Sequence, residues 1–335
     1  MSTRSHKSGS SYFRGTDPLE DRCRIDVLTQ VCEAKAALDR VALLLLADHT
    51  EHSIAEAIEA GKGGAKVKEL NGVVARLVPP WSARRLPNMR WFTITMAIAT
   101  TDMQRDYIKE YSPALGREME LLHFGHSGRP LLAFPTSQGR FYQWEDFGLV
   151  GAISDYLESG AIQLVCVDSA DGESWYARDK HPADRVRRHL QYEAYIVEEI
   201  LPRLPAPPLS TGASFGALHA ILIAVRHPSL ISGFIGMSGA YDTSRWLDGY
   251  HDDNVYFTNL MEFLPGLNDE AYLSPLRAQH PKVIVTGEHD PNFEDSRRLA
   301  GLLRSKGVEV GLEIWPGWAH DWPYWKDMMR RYLAG

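Results

Sequence analysis

From about residue 106 onward, short apolar runs alternate with longer stretches in which apolar residues recur every three or four positions. The runs at 119–122, 131–134, 163–167, 209–211, 233–237, 283–286 and 308–315 have the length of strands. Their near-continuous apolar character fits strands covered on both faces. Between them, 144–158, 183–204, 217–227, 295–306 and 323–333 carry helical patterns. This alternation predicts right-handed crossovers and a mostly parallel sheet with helices on both faces, an α/β fold over 106–335. Ligands of such folds bind where strands end at their carboxyl side.

The first hundred residues read differently. Residues 1–20 are polar and unpatterned, and a flexible tail is expected there. From 25 to 53, Leu28, Val31, Leu38, Val41 and Leu45 fall along one helical face. A weaker helical pattern over 54–77 is interrupted by Gly61, Gly63 and Gly64, so a helical hairpin is expected over 21–78. Pro79, Pro80 and Pro87 mark 79–105 as a linker, and Met103, just ahead of the change in pattern, is a candidate alternative initiator.

Composition narrows the class without fixing the chemistry. Of 335 residues, 44% are apolar and 24% charged, as in soluble globular proteins, so neither wholesale disorder nor a membrane protein is indicated. The net charge of -7 gives no general attraction to nucleic acid or anionic lipid. Cys23, Cys32 and Cys166 form no metal-type repeat and suit a reducing compartment. Residues 1–15 lack the apolar core of a signal peptide, and the apolar runs are too short to span a bilayer. A cytoplasmic protein is expected.

The candidate chemistry centres on Gly212-Ala213-Ser214-Phe215-Gly216, set between an expected strand and an expected helix. A Gly-x-Ser-x-Gly turn in that setting is a nucleophile elbow, with the serine on a tight turn that excludes neighbouring side chains. The helix start would aim N–H groups and its positive dipole end at a developing oxyanion. One donor would be the N–H of Phe215, and the other that of Ser137 or Gln138, in the loop after the 131–134 run. A serine hydroxyl needs a base, and the base needs an orienting acid; in this fold the chain order is Ser, acid, His. His320, after the last strand, is the expected base. Asp290 is the favoured acid, ahead of Glu288 and Asp242. Asp168 precedes the serine and, with Asp242, Trp175 and Trp322, is expected to line the substrate pocket. No cofactor is required by this chemistry.

The elbow, Phe134-Pro135 through Phe141, Tyr241-Asp242, Asp248-Gly249-Tyr250, Thr286-Gly287-Glu288-His289-Asp290 and His320-Asp321-Trp322-Pro323-Tyr324-Trp325 together resemble the esterase D and antigen 85 branch of the α/β-hydrolases, over about 106–335. The resemblance implies a Ser214/Asp290/His320 triad acting on a carboxylic ester or thioester, a small-molecule substrate, with acyl transfer as the alternative outcome.

The run Ile25-Asp26-Val27-Leu28-Thr29-Gln30, with Val41-Ala42-Leu43 and Asp48-His49, resembles CsoR/FrmR-type metal- and formaldehyde-responsive repressors. The sensor positions of that family correspond to Arg24, His49 and Ser53, of which only the histidine is retained. Cys23 is one residue off register, about 100° away around a helix. Copper-type ions want soft or borderline ligands, which guanidinium and hydroxyl are not. A helical segment that supports homo-oligomers is therefore expected, rather than a metal-responsive DNA-binding regulator.

Overall fold

The structure is a computed structural model that describes residues 103–317 and 319–333. The helical hairpin and linker expected before residue 103, with Arg24, His49 and Ser53, lie outside the described residues. Among the described residues the centre is a sheet of eight strands, β1 (Arg105–Ser112), β2 (Arg117–Phe124), β3 (Arg129–Phe134), β4 (Ile162–Val167), β5 (Leu209–Ala213), β6 (Gly233–Met237), β7 (Lys282–Gly287) and β8 (Gly311–Trp315). They lie in the order β1-β2-β4-β3-β5-β6-β7-β8. β1, β2 and β4 pair antiparallel, and every pair from β4/β3 to β7/β8 is parallel. Register places Phe134 opposite Gly212 and Ala213 opposite Met237, so β3, β5 and β6 end level with one another.

The strand period distributes the core. Leu132 and Phe134 face one apolar cluster while Leu131 and Ala133 face the other, as alternation along a doubly covered strand requires. The helices are α1 (Gln143–Asp146), α2 (Leu149–Ala152), α3 (Ser154–Glu158), α4 (Pro182–Ala194), α5 (Phe215–Arg226), α6 (Asp253–Thr258), α7 (Leu260–Gly266), α8 (Glu270–Ala278), α9 (Phe293–Ser305) and α10 (Trp322–Leu333). Helix α5 is buried along its length up to Val225, which its all-round apolar sequence dictates. Cys166 is a core residue of β4, and burial pushes its thiol pKa up, away from reactivity. No helix among the described residues is long and apolar enough to cross a membrane.

Several expectations need correction. β1 was not foreseen, because Arg-Asp-Tyr-Ile-Lys-Glu-Tyr-Ser is exposed on both faces of an edge strand and shows no apolar face. The single helix expected over 144–158 is three short ones, broken at Gly148, whose φ of 76° no right-handed helix allows, and again at Ile153, whose φ is -117° and ψ 18°. The pattern over 183–204 continues past α4 only as a π turn and a 3₁₀ turn. β6 ends at Met237, as its apolar run predicts, where Ser238 takes φ 54°. Helices α6, α7 and α8 were missed although Asp252, Asn259 and Asp269 each cap a first turn by accepting a backbone N–H.

Under the sheet's carboxyl edge, between α4 and α5, lies a buried polar group. His189 packs against Trp175, with ring centroids 4.9 Å apart, and against His219 at 5.5 Å. Burial pushes its pKa down to about 3, reinforced by His219 and opposed by Glu193. The unfolded chain binds this proton near pH 6.5, whereas the folded chain refuses it until about pH 3. Stability is therefore full above pH 6.5 and falls as pH drops, by roughly 2 kcal/mol at pH 5. Urea midpoints measured from pH 7 to pH 5 should fall in the wild type and stay flatter in His189→Leu; parallel curves would contradict this reading.

Candidate active site

Ser214 sits between β5 and α5 with φ 54° and ψ -120°, a region that side chains rarely enter. Such a residue costs roughly 1–3 kcal/mol and persists only when its surroundings over-determine it. Those surroundings are visible. The Ser214 N–H donates to the Met237 carbonyl at 2.8 Å, and its own carbonyl accepts from Ala217. A Cβ at Gly212 would meet the Gly216 backbone at 2.3 Å, and one at Gly216 would meet the Pro135 carbonyl at 2.4 Å. Both elbow glycines are thus required by close approach of backbone to backbone.

Asp290 follows β7 and His320 follows β8. The His320 Nδ1 lies 3.0 Å from Asp290 Oδ2, and the Asp290 side chain has no accessible surface. An ionised carboxylate only accepts, so the shared proton belongs to Nδ1, which makes Nε2 the acceptor nitrogen of the neutral ring. Asp290 also accepts the Asn292 N–H at 2.7 Å, which fixes the carboxylate's second oxygen. The His320 ring is held edge-on against Trp325, centroids 5.3 Å apart.

Ser238, which sequence reasoning passed over, ties these parts together. It follows Met237, the acceptor of the Ser214 N–H, and its own N–H donates to Val285 of β7. Its hydroxyl donates to the carbonyl of Ala319, next to His320, and accepts from the Trp325 indole. Its carbonyl accepts from the Asn292 side chain, two residues from Asp290. Ser214, Asp290 and His320 are therefore all tied to the pair Met237-Ser238 where β6 ends, Ser214 directly through Met237 and the other two through the neighbours that Ser238 binds. The only sequence signal was a small polar residue directly after a buried strand.

The remaining site expectations are placed as follows. Glu288 is exposed and Asp242 is engaged elsewhere, accepting from Ser244, Asn259 and Arg298. Burial pushes the Asp242 pKa up, but its hydrogen bonds from Ser244 and Asn259 outweigh this and hold it below the usual range. Asp168 is buried and accepts from Arg140 at 2.8 Å; burial raises its pKa against the guanidinium's pull. Trp175 has no accessible surface and belongs to the interior rather than to an open pocket. Trp322 stacks on Phe147, centroids 4.5 Å apart, in the cluster that carries α10.

The two oxyanion alternatives separate here. In the loop after β3, the Thr136 N–H donates to Gln143, the Gly139 N–H to Thr136 and the Gln138 N–H to Asp171 Oδ2 at 3.1 Å. Pro135 has none. Gln138 is thus committed, while the N–H of Ser137 has no acceptor among the hydrogen bonds of the described residues. Phe215, as the first residue of α5, has no intrahelical acceptor either. A small cavity of about 10 Å³, room for about one water, lies beneath this loop between His189, Glu193 and His219 and contains none of the three candidate residues.

Comparison with known proteins divides the chain in the same place as its pattern does. Residues 19–76 match the family described as metal-sensitive transcriptional repressor. Within that region the chain is 44% identical over 50 residues to the copper-sensing transcriptional repressor CsoR of Bacillus subtilis, covering 15% of this chain. It spans only half the length of that relative. The later region is similar to a solved ferulic acid esterase, with TM-score 0.55, 16% identity, and coverage of 69% of this chain and 96% of that one. It is also similar to FphF, a fluorophosphonate-binding serine hydrolase of Staphylococcus aureus, with TM-score 0.50, 15% identity, and coverage of 69% and 97%. With its mostly parallel eight-stranded sheet and helices on both faces, the later region has the α/β-hydrolase fold of these solved structures.

Proposed function

We propose that residues 106–335 form a serine esterase in which Ser214 is the nucleophile, His320 the general base and Asp290 the acid that orients it. The observation that carries this reading is the His320–Asp290 hydrogen bond, formed by residues that follow two different strands, on the same edge as a strained serine at a helix start. As the Ser214 hydroxyl attacks an ester or thioester carbonyl, His320 Nε2 takes its proton, and the buried Asp290 carboxylate stabilises the imidazolium. The carbonyl oxygen gains negative charge between the N–H groups of Phe215 and Ser137, at the positive end of α5. His320 returns the proton to the leaving alcohol or thiol, and water, activated by the same base, releases the acyl group. An acyltransferase would differ only in the acceptor of the second step.

The N-terminal segment carries a second reading, favoured by the repressor-family match over residues 19–76. Its donor set does not fit copper: Arg24 and Ser53 stand where soft or borderline ligands are needed, beside His49. We therefore assign the segment to self-association rather than metal sensing, and place the substrate chemistry in the later region alone. The testing experiment is hydrolysis of p-nitrophenyl acetate and butyrate by the purified chain. Turnover by the wild type and none by Ser214→Ala is expected; equal turnover by both would refute the mechanism.

A further inference from the structure

Buried beneath the elbow is a pair that the proposed triad does not use. Asp171, at the start of the turn after β4, and His219, in α5, have side chains with 1% and 2% accessibility, and His219 Nε2 lies 2.8 Å from Asp171 Oδ1. The other carboxylate oxygen, Oδ2, accepts the N–H of Gln138. Gln138 has φ 54°, so the loop is held in a backbone conformation that it would not keep by itself. Five residues on from Asp171, Tyr176 donates its hydroxyl to Ser137 Oγ at 3.0 Å, while its own N–H bonds back to the Asp171 carbonyl.

The two oxyanion donors come from different elements, Ser137 from the β3 loop and Phe215 from α5. The hole has the right width only if that loop and that helix keep a fixed separation. The Asp171 carboxylate hydrogen-bonds to both: it binds the loop through Gln138 and the helix through His219. His219 is itself wedged in α5 against Phe134 and Phe215, with ring centroids 5.8 and 5.1 Å away, so it cannot swing out of the clamp. A carboxylate is suited to the task because it accepts from two directions at once and because charge-assisted bonds are stronger than neutral ones.

Resting on the esterase reading, we propose that Asp171 is a positioning residue that, with His219, sets the oxyanion hole by clamping the Gln138 amide. Its loss should leave substrate binding intact and weaken transition-state stabilisation. Removal of one oxyanion donor costs about 10²–10³ in turnover, and a loosened donor should cost less.

The experiment compares wild type, Asp171→Ala, His219→Gln and His219→Leu in the full chain, with a short p-nitrophenyl ester as substrate and an aryl trifluoromethyl ketone as inhibitor. The ketone forms a tetrahedral adduct whose oxyanion needs the same hole. Asp171→Ala, which removes both acceptor oxygens, should lower kcat by about 10- to 100-fold with KM within twofold, and should weaken ketone affinity by the same factor. His219→Gln, whose amide can still donate to Asp171, should keep several-fold more kcat than His219→Leu. If Asp171→Ala fails to fold, the His219 pair alone decides. Wild-type kcat in Asp171→Ala, reduced kcat with unchanged ketone affinity, or equal loss in both His219 variants would overturn the proposal. A wild type that neither hydrolyses esters nor is labelled at Ser214 by a fluorophosphonate would refute the esterase reading beneath it.

Discussion

Replacing Ser214 by alanine should reduce ester hydrolysis by roughly 10⁵-fold while leaving the protein folded, because in the proposed mechanism the Ser214 Oγ is the only protein atom that bonds to the acyl group. Alanine and serine suffer similarly at φ 54°, so the melting temperature should barely move. Ser214→Gly gives the companion result. Glycine enters that conformation without strain, and the variant should be equally inactive yet more stable by about 1 kcal/mol. Denaturant midpoints alongside p-nitrophenyl acetate turnover check both halves. Activity surviving in either variant would remove Ser214 from the mechanism.

Asp290→Asn should lower kcat by about 10⁴-fold with KM nearly unchanged. The amide can still accept the Asn292 N–H, so the loop after β7 keeps its anchor. Toward His320, however, an amide placed to donate would drive the ring into the tautomer whose proton lies on Nε2. That nitrogen could no longer take the serine proton. The loss should be shared equally by kcat and kcat/KM, because neither the tautomer of the ring nor the imidazolium bears on substrate binding. A loss confined to KM would mean instead that Asp290 shapes substrate binding.

Much of this architecture was legible from residue pattern. β3 to β7 stand out because strands covered on both faces are mostly apolar; β5, buried at every position, accommodates Ser210 and Thr211 by donating their hydroxyls to backbone carbonyls. The elbow was legible because its glycines answer to backbone contacts within a few residues and across to Pro135. What escaped depends on partners distant in sequence. That the Gln138 amide is already engaged follows from Asp171, 33 residues further along the chain. Ser238 looks like any turn serine until Ala319, Asn292 and Trp325 are folded around it. β1 was hidden because an exposed edge strand rewards charge on both faces.

The most direct test of Ser214 as an activated nucleophile is mass spectrometry of the full chain after treatment with a fluorophosphonate. One equivalent of adduct per chain, mapped to the peptide that contains Ser214 and absent from Ser214→Ala, is the predicted result. A folded chain that takes up no adduct, or takes it up at another residue while Ser214 stays unmodified, would contradict it.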